Sequence, residues 1–120
     1  FDDIYPNLKA KYKLALVTST GSELVNHIDG LLSIYSRFDL VLTSADTKVH
    51  KPMPDPYLNA MNRLGFKPTE CVVVEDSIQG IKAGKSAGCR VIALEGSLHR
   101  DFLSEADYII PHLHDIQNIL

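Results

Sequence analysis

Five short apolar runs, most of them unbroken, constrain this chain more than anything else in it. They cover Leu14 to Thr18, Asp39 to Thr43, Cys71 to Glu75, Arg90 to Leu94 and Tyr108 to Ile110. Leu-Ala-Leu-Val, Val-Val-Val and Val-Ile-Ala-Leu do not alternate with polar residues as a half-exposed strand would. They predict strands covered on both faces, as in a parallel sheet. Amphipathic stretches lie between them. Glu23 to Tyr35 sets Leu24, Ile28, Leu31 and Leu32 on one helical face. Asp55 to Leu64 follows Lys-Pro-Met-Pro, a helix-entry signal, and Gly65 suits its C-cap. Ser77 can cap a helix running to about Ala87, with Gly88 at its end. Further helices are expected near His99–Ser104 and Leu113–Leu120. Strands alternating with helices imply right-handed crossovers and a doubly wound α/β sheet in one domain.

The 120 residues are enough for a core, and 45% hydrophobic with 22% charged residues is an ordinary globular mix. Twelve basic and fifteen acidic side chains leave a net charge of -3, which gives no footprint for nucleic acid. No apolar run approaches the roughly 20 residues of a membrane span, and no signal peptide is visible. Cys71 and Cys89 have no metal-binding spacing and read as two thiols in a reducing, cytoplasmic setting.

Ligands of such sheets bind outside the carboxyl ends of the strands, and three polar groups lie there. Thr18-Ser19-Thr20-Gly21 follows the first run. Hydroxyls and free N–H groups at a strand-to-helix turn can cradle phosphate, or merely cap the helix. Lys51 comes eight residues after Thr43 in His-Lys-Pro-Met-Pro-Asp-Pro. Prolines stiffen that approach, so Lys51 is either a point charge for a phosphoryl oxygen or an exposed turn residue. Glu75-Asp76 follows Val-Val-Val. Two adjacent carboxylates at a buried strand end repel each other, and Mg²⁺ would relieve the cost. Capping of the next helix is the simpler alternative.

Two other motifs fail. Gly80-Ile-Lys-Ala-Gly84-Lys85-Ser86 has three residues between its glycines where a P-loop needs four. His112 and His114 have no further ligands nearby in sequence and read as surface histidines. His27, His50 and His99 show no nucleophile partner.

Taken in order, Leu-Ala-Leu-Val-Thr18-Ser19, Lys51-Pro-Met-Pro-Asp-Pro and Val-Val-Val-Glu75-Asp76-Ser77-Ile-Gln-Gly80 resemble the haloacid dehalogenase superfamily. The wording is most similar to its β-phosphoglucomutase and phosphoglycolate phosphatase branch. The resemblance implies a Rossmann-like core and Mg²⁺-dependent phosphoryl transfer on a small phosphorylated metabolite through an aspartyl-phosphate. By it, Thr18 and the Ser19 N–H would bind the phosphoryl group and Lys51 would balance its charge. Asp76, with Glu75, would hold the metal.

The family's Asp-x-Asp nucleophile motif does not occur; Asp2-Asp3 lacks both its spacing and its preceding strand. The resemblance therefore implies residues 1–120 as a partial core. The first central strand and the cap domain are expected upstream, and the fragment is expected to be inactive alone. In the family fold the missing strand lies between the Leu14–Thr18 and Cys71–Glu75 strands. The chain is then expected to bind its N-terminal segment, pair with a second copy, or close the gap by rearranging. A non-catalytic scaffold that keeps the fold is the alternative. A receiver domain would carry its acidic pair at the first strand, not after the third.

Overall fold

A computed structural model describes residues 4–96 and 103–120. In chain order these form α1 (Tyr5–Lys11), β1 (Ala15–Val17), α2 (Ser22–Leu32), α3 (Ile34–Arg37), β2 (Leu40–Leu42) and α4 (Asp55–Leu64). There follow β3 (Val72–Glu75), α5 (Ile78–Ser86), β4 (Arg90–Leu94) and β5 (Tyr108–Ile110). Short 3₁₀ segments cover Pro68–Glu70 and Leu113–Asn118. The five strands fall on the five apolar runs. Three are shorter than expected, but the flanks of β1 and β2 still pair, through Thr18 N–H to Leu42 O at 3.0 Å and Asp39 N–H to Leu14 O at 2.7 Å.

Every strand pair is parallel, yet the strands form two sheets, β1-β2 and β3-β4-β5. Along β4 the side chains divide between two cores. Val91 and Ala93 join Tyr57, Met61, Val73 and Ile81 under α4 and α5. Ile92 faces the other way, onto Ile4, Leu8, Ile110 and Ile116. Cover on both faces explains the unbroken apolar run of β4, whereas β1 and β3, expected to be covered likewise, leave Ala15 and Val74 exposed. β1 and β3 are not paired with one another, so the gap expected between them has not been closed by rearrangement.

Helix boundaries follow local chemistry. Ser77 Oγ accepts the Gly80 N–H at 3.0 Å and caps α5. Gly65 and Gly88 take φ of 78° and 89° and end α4 and α5, a conformation costly for residues with a Cβ.

Some expectations need correction. The helix expected over Glu23 to Tyr35 breaks at Ser33, which is left-handed with φ 54°. Asp29 causes the break locally. Its carbonyl accepts the Ser33 N–H at 2.8 Å, and its carboxylate takes the Tyr35 N–H at 2.7 Å. The apolar stripe there is also uncovered: Leu24, Leu31 and Leu32 are 54%, 73% and 60% exposed, and Val25 is the buried residue of α2. In place of the helix expected over Leu113–Leu120, Leu113–Asn118 forms a 3₁₀ segment with Ile116 buried. Most of the helix expected near His99–Ser104 lies outside the described residues, as do Asp2 and Asp3. Helix α1 was not expected. Pro6 opens it, and Ile4 and Leu8, four residues apart, bury its inner side. Among the described residues, no helix is long and apolar enough to cross a membrane.

Candidate phosphate site at the mouth of the cleft

The two sheets face each other across a cleft of about 1410 Å³ lined by residues of both β1 and β3. That exceeds the roughly 300–1,000 Å³ of a small-ligand pocket and suits a gap between sheet halves. Thr18, Ser19, Lys51, Glu75 and Asp76 all line it. The fold thus brings these five to one cleft: Thr18 and Ser19 follow β1, Glu75 and Asp76 stand at the end of β3, and Lys51 is on the loop after β2.

Lys51 reaches across the mouth. Its Nζ donates to Glu75 Oε2 at 2.6 Å and to the Val17 carbonyl at 3.2 Å, so it ties the end of β3 to the end of β1. The ammonium also stands 5.0 Å from the centroid of the Tyr57 ring. The two side chains of the ion pair are 16% and 10% exposed, so the pair is shielded from solvent much more than a surface pair.

Glu75 is filled. Oε2 accepts from Lys51 and from the Tyr57 hydroxyl. Oε1 accepts the Asp76 N–H at 3.3 Å and the Ser77 hydroxyl at 3.4 Å. Burial and the Glu75 charge push the Tyr57 phenol well above its ordinary range, so it is a donor at any physiological pH. Asp76, by contrast, is exposed. Thr18 is half-buried, and its Oγ1 accepts the Thr20 N–H at 3.1 Å. That leaves the Thr18 hydroxyl proton available to a ligand.

Mg²⁺ keeps several waters and takes one or two protein carboxylates with substrate phosphate. Asp76 offers open oxygens, with Glu75 beside it, which fits such a partial set. Among the described residues no group of three or more His, Cys, Asp or Glu could hold an ion by itself. His112 and His114 stack at 5.4 Å between ring centroids, away from this mouth, with Asp115 3.4 Å from His114.

Sequence reasoning missed Tyr57 and Gly80. Tyr57 could have been flagged as a polar tip on the core-facing side of α4. Gly80 drew notice in a false P-loop and in the acidic motif of the resemblance, but with no role of its own. A Cβ built on it would overlap the Glu75 carboxylate, so this glycine leaves the room in which Glu75 folds back over the first turn of α5.

A family model described as haloacid dehalogenase-like hydrolase matches residues 3–94. Over 99% of its length the chain is 33% identical to pyrophosphatase PpaX of Bacillus velezensis, covering 58% of that protein. Over 90% of its length it is 37% identical to hexitol phosphatase A of Escherichia coli, covering 50%. Its fold matches the crystal structure of a putative β-phosphoglucomutase from Thermotoga maritima with TM-score 0.87 and 31% identity, covering 98% of this chain and 56% of that one. A predicted phosphoglycolate phosphatase from Haemophilus somnus gives 0.89 and 29%, with 98% and 54% covered. The chain spans about half the length of the curated relatives it matches. A match over most of the chain, together with a fold that gathers the hydroxyl, the lysine and the acidic strand end at one mouth, identifies its kind: the chain belongs to the haloacid dehalogenase-like hydrolase family.

Proposed function

We propose that this chain is part of a Mg²⁺-dependent phosphohydrolase or phosphomutase acting on a small phosphorylated metabolite through an aspartyl-phosphate. Lys51 carries the reading. Its ammonium is fixed between the Val17 carbonyl and the Glu75 carboxylate, on the same cleft as Thr18. Phosphoryl transfer asks for positioned groups and neutralised charge more than for covalent chemistry by the protein. Thr18 would donate its hydroxyl to a phosphoryl oxygen, with the Ser19 N–H beside it. Lys51 would balance the charge. Asp76, with Glu75 adjacent, would hold Mg²⁺, which when bound neutralises phosphoryl oxygens. The names of the relatives, a pyrophosphatase and a hexitol phosphatase, support a small phosphorylated substrate.

The nucleophile is assigned outside these residues. Of the acidic groups lining the cleft, Asp39 is bound to Lys9 and to the Leu14 N–H, and Glu70 holds the Lys67 N–H. Glu75 is filled and Asp76 is assigned to the metal. The reading therefore seats an extended strand from elsewhere in a longer protein between β1 and β3, bringing the carboxylate with it. Two facing parallel edges and the half-length match to the relatives support that arrangement. On this reading residues 1–120 alone are inactive and a cap outside them selects the substrate. Free Cys71 and Cys89 favour a cytoplasmic setting.

The test pairs an intact mass with turnover of an aryl phosphate, with and without Mg²⁺. A mass above that of 120 residues with Mg²⁺-dependent turnover is the expected result. Turnover at the mass of 120 residues would overturn the mechanism, since among the described residues no acidic group lining the cleft is left for the nucleophile. A matching mass without turnover would leave an inert fragment or a scaffold, which the length of the parent gene separates.

A further inference from the structure

The residue that decides where Glu75 points comes from neither the strand end nor the loop that carries Lys51. It comes from the core side of α4. Tyr57 is 9% exposed and packed with Met61, Val73 and Ile81. Its hydroxyl donates to Glu75 Oε2, the oxygen that also receives Lys51. Its ring lies under the Lys51 ammonium, 5.0 Å from centroid to Nζ. One side chain thus touches both members of the ion pair, with the ring giving a cation–π floor and the hydroxyl giving a charge-assisted hydrogen bond. Without that hydroxyl, Oε2 would keep one donor. The carboxylate would then be free to turn towards the exposed Asp76, where a cation would draw it.

We infer that Tyr57 is a positioning residue that commits the Glu75 carboxylate to Lys51 and so holds the ammonium at the mouth of the cleft. The inference rests on the reading of Lys51 as the cation of the site. Tyr57 acts through Glu75 and Lys51 and touches no reacting atom. Rigidity supports the role: α4 is anchored by buried Tyr57, Ala60 and Met61, and a two-torsion aromatic side chain holds its tip more firmly than a lysine could.

The experiment compares the intact protein with Tyr57→Phe and Glu75→Gln, using acetic anhydride in limiting amount at fixed pH and reading each lysine by mass spectrometry. Lys67 and Lys82, both exposed, serve as internal references. Tyr57→Phe is expected to raise labelling of Lys51 by about three- to ten-fold, the scale of losing one charge-assisted hydrogen bond. Glu75→Gln should raise it at least as much, and the reference lysines should not change in either variant. A general loosening of the fold would move all the lysines together. If Glu75→Gln exposes Lys51 and Tyr57→Phe does not, the role given to Tyr57 is wrong. If neither exposes it, the ion pair itself does not hold Lys51, and the reading beneath the inference fails instead. Should Tyr57→Phe unfold, the unsubstituted protein still decides. With the Tyr57 ring carbon labelled, a slowly exchanging hydroxyl proton at neutral pH upholds the inference, and a hydroxyl in fast exchange with water overturns it.

Discussion

Lys51 Nζ stands 2.6 Å from Glu75 Oε2, and the contact joins a loop after β2 to the end of β3 across an otherwise open cleft. Each side chain is mostly withdrawn from water, so removing one strands the charge of the other. Glu75→Gln and Lys51→Met are each expected to destabilise the fold by about 1–3 kcal/mol, less than for a fully buried pair because the cleft admits water. The double variant should lose less than the sum of the two. Urea unfolding of the four proteins, read as a double-mutant cycle, gives the coupling. A coupling near zero would mean that the two groups do not depend on one another.

Gly80→Ala should act on the same pair from the opposite side. A methyl group at residue 80 occupies the volume of the Glu75 carboxylate, and that carboxylate is pinned by Lys51, Tyr57 and Ser77. Moving it breaks those contacts. The expected net loss is about 1–3 kcal/mol, after the better helix propensity of alanine offsets up to about 1 kcal/mol. Thermal unfolding checks this, and a variant as stable as the parent would show that Glu75 has another comfortable position.

Two aspartates are expected to contribute to the acid limb of stability. Asp107 is held below the usual carboxylate range chiefly by its bond to Lys85, and also by the Val91 N–H at 2.7 Å. Asp39 is lowered by Lys9 first and then by the Leu14 N–H, each at 2.7 Å. A carboxyl depressed in the folded state binds its proton more readily when unfolded. Its stabilisation is therefore complete above the ordinary value of 3.8 and fades as pH falls through the lower folded value. Asp107→Asn and Asp39→Asn should each lower stability at pH 7 by about 0.5–1.5 kcal/mol, on the scale of lost hydrogen bonds. The curve of unfolding free energy against pH should also flatten below about pH 4. An unchanged acid limb in both variants would assign acid unfolding to other groups.

Much of this was legible in the residues. Strand positions followed from burial on both faces, which forces continuous apolar runs such as Val91–Ile92–Ala93. The rule that parallel strands present ligand groups at their carboxyl ends was enough to bring Thr18, Lys51 and Asp76 to one mouth. What could not be read was geometry set by tertiary contact. Nothing in the order of residues says that Tyr57, on a helix, turns its hydroxyl to Glu75, or that Gly80 is needed for space more than for flexibility. The α2 stripe shows the opposite failure. Leu24, Leu31 and Leu32 repeat at helical spacing, but periodicity reports only that a face is apolar and cannot say whether anything covers it.

The open edge of β1 gives the last prediction. Thr18 donates its N–H to Leu42 and Leu14 accepts from Asp39, so the even-numbered residues of this strand bond to β2. By alternation, Ala15 and Val17 turn their N–H and C=O groups to the cleft, and Lys51 indeed takes the Val17 carbonyl. In a protein of these 120 residues alone, the amides of Ala15 and Val17 should exchange with deuterium at least about ten-fold faster than those of Leu16 and Thr18, because unpaired edge amides exchange without local opening. Equal protection at all four would mean that a strand has paired there. If that protection grew with protein concentration, the strand would come from a second copy. Protection independent of concentration, in a chain longer than 120 residues, would mark a strand supplied from within the same protein, as the proposed function requires.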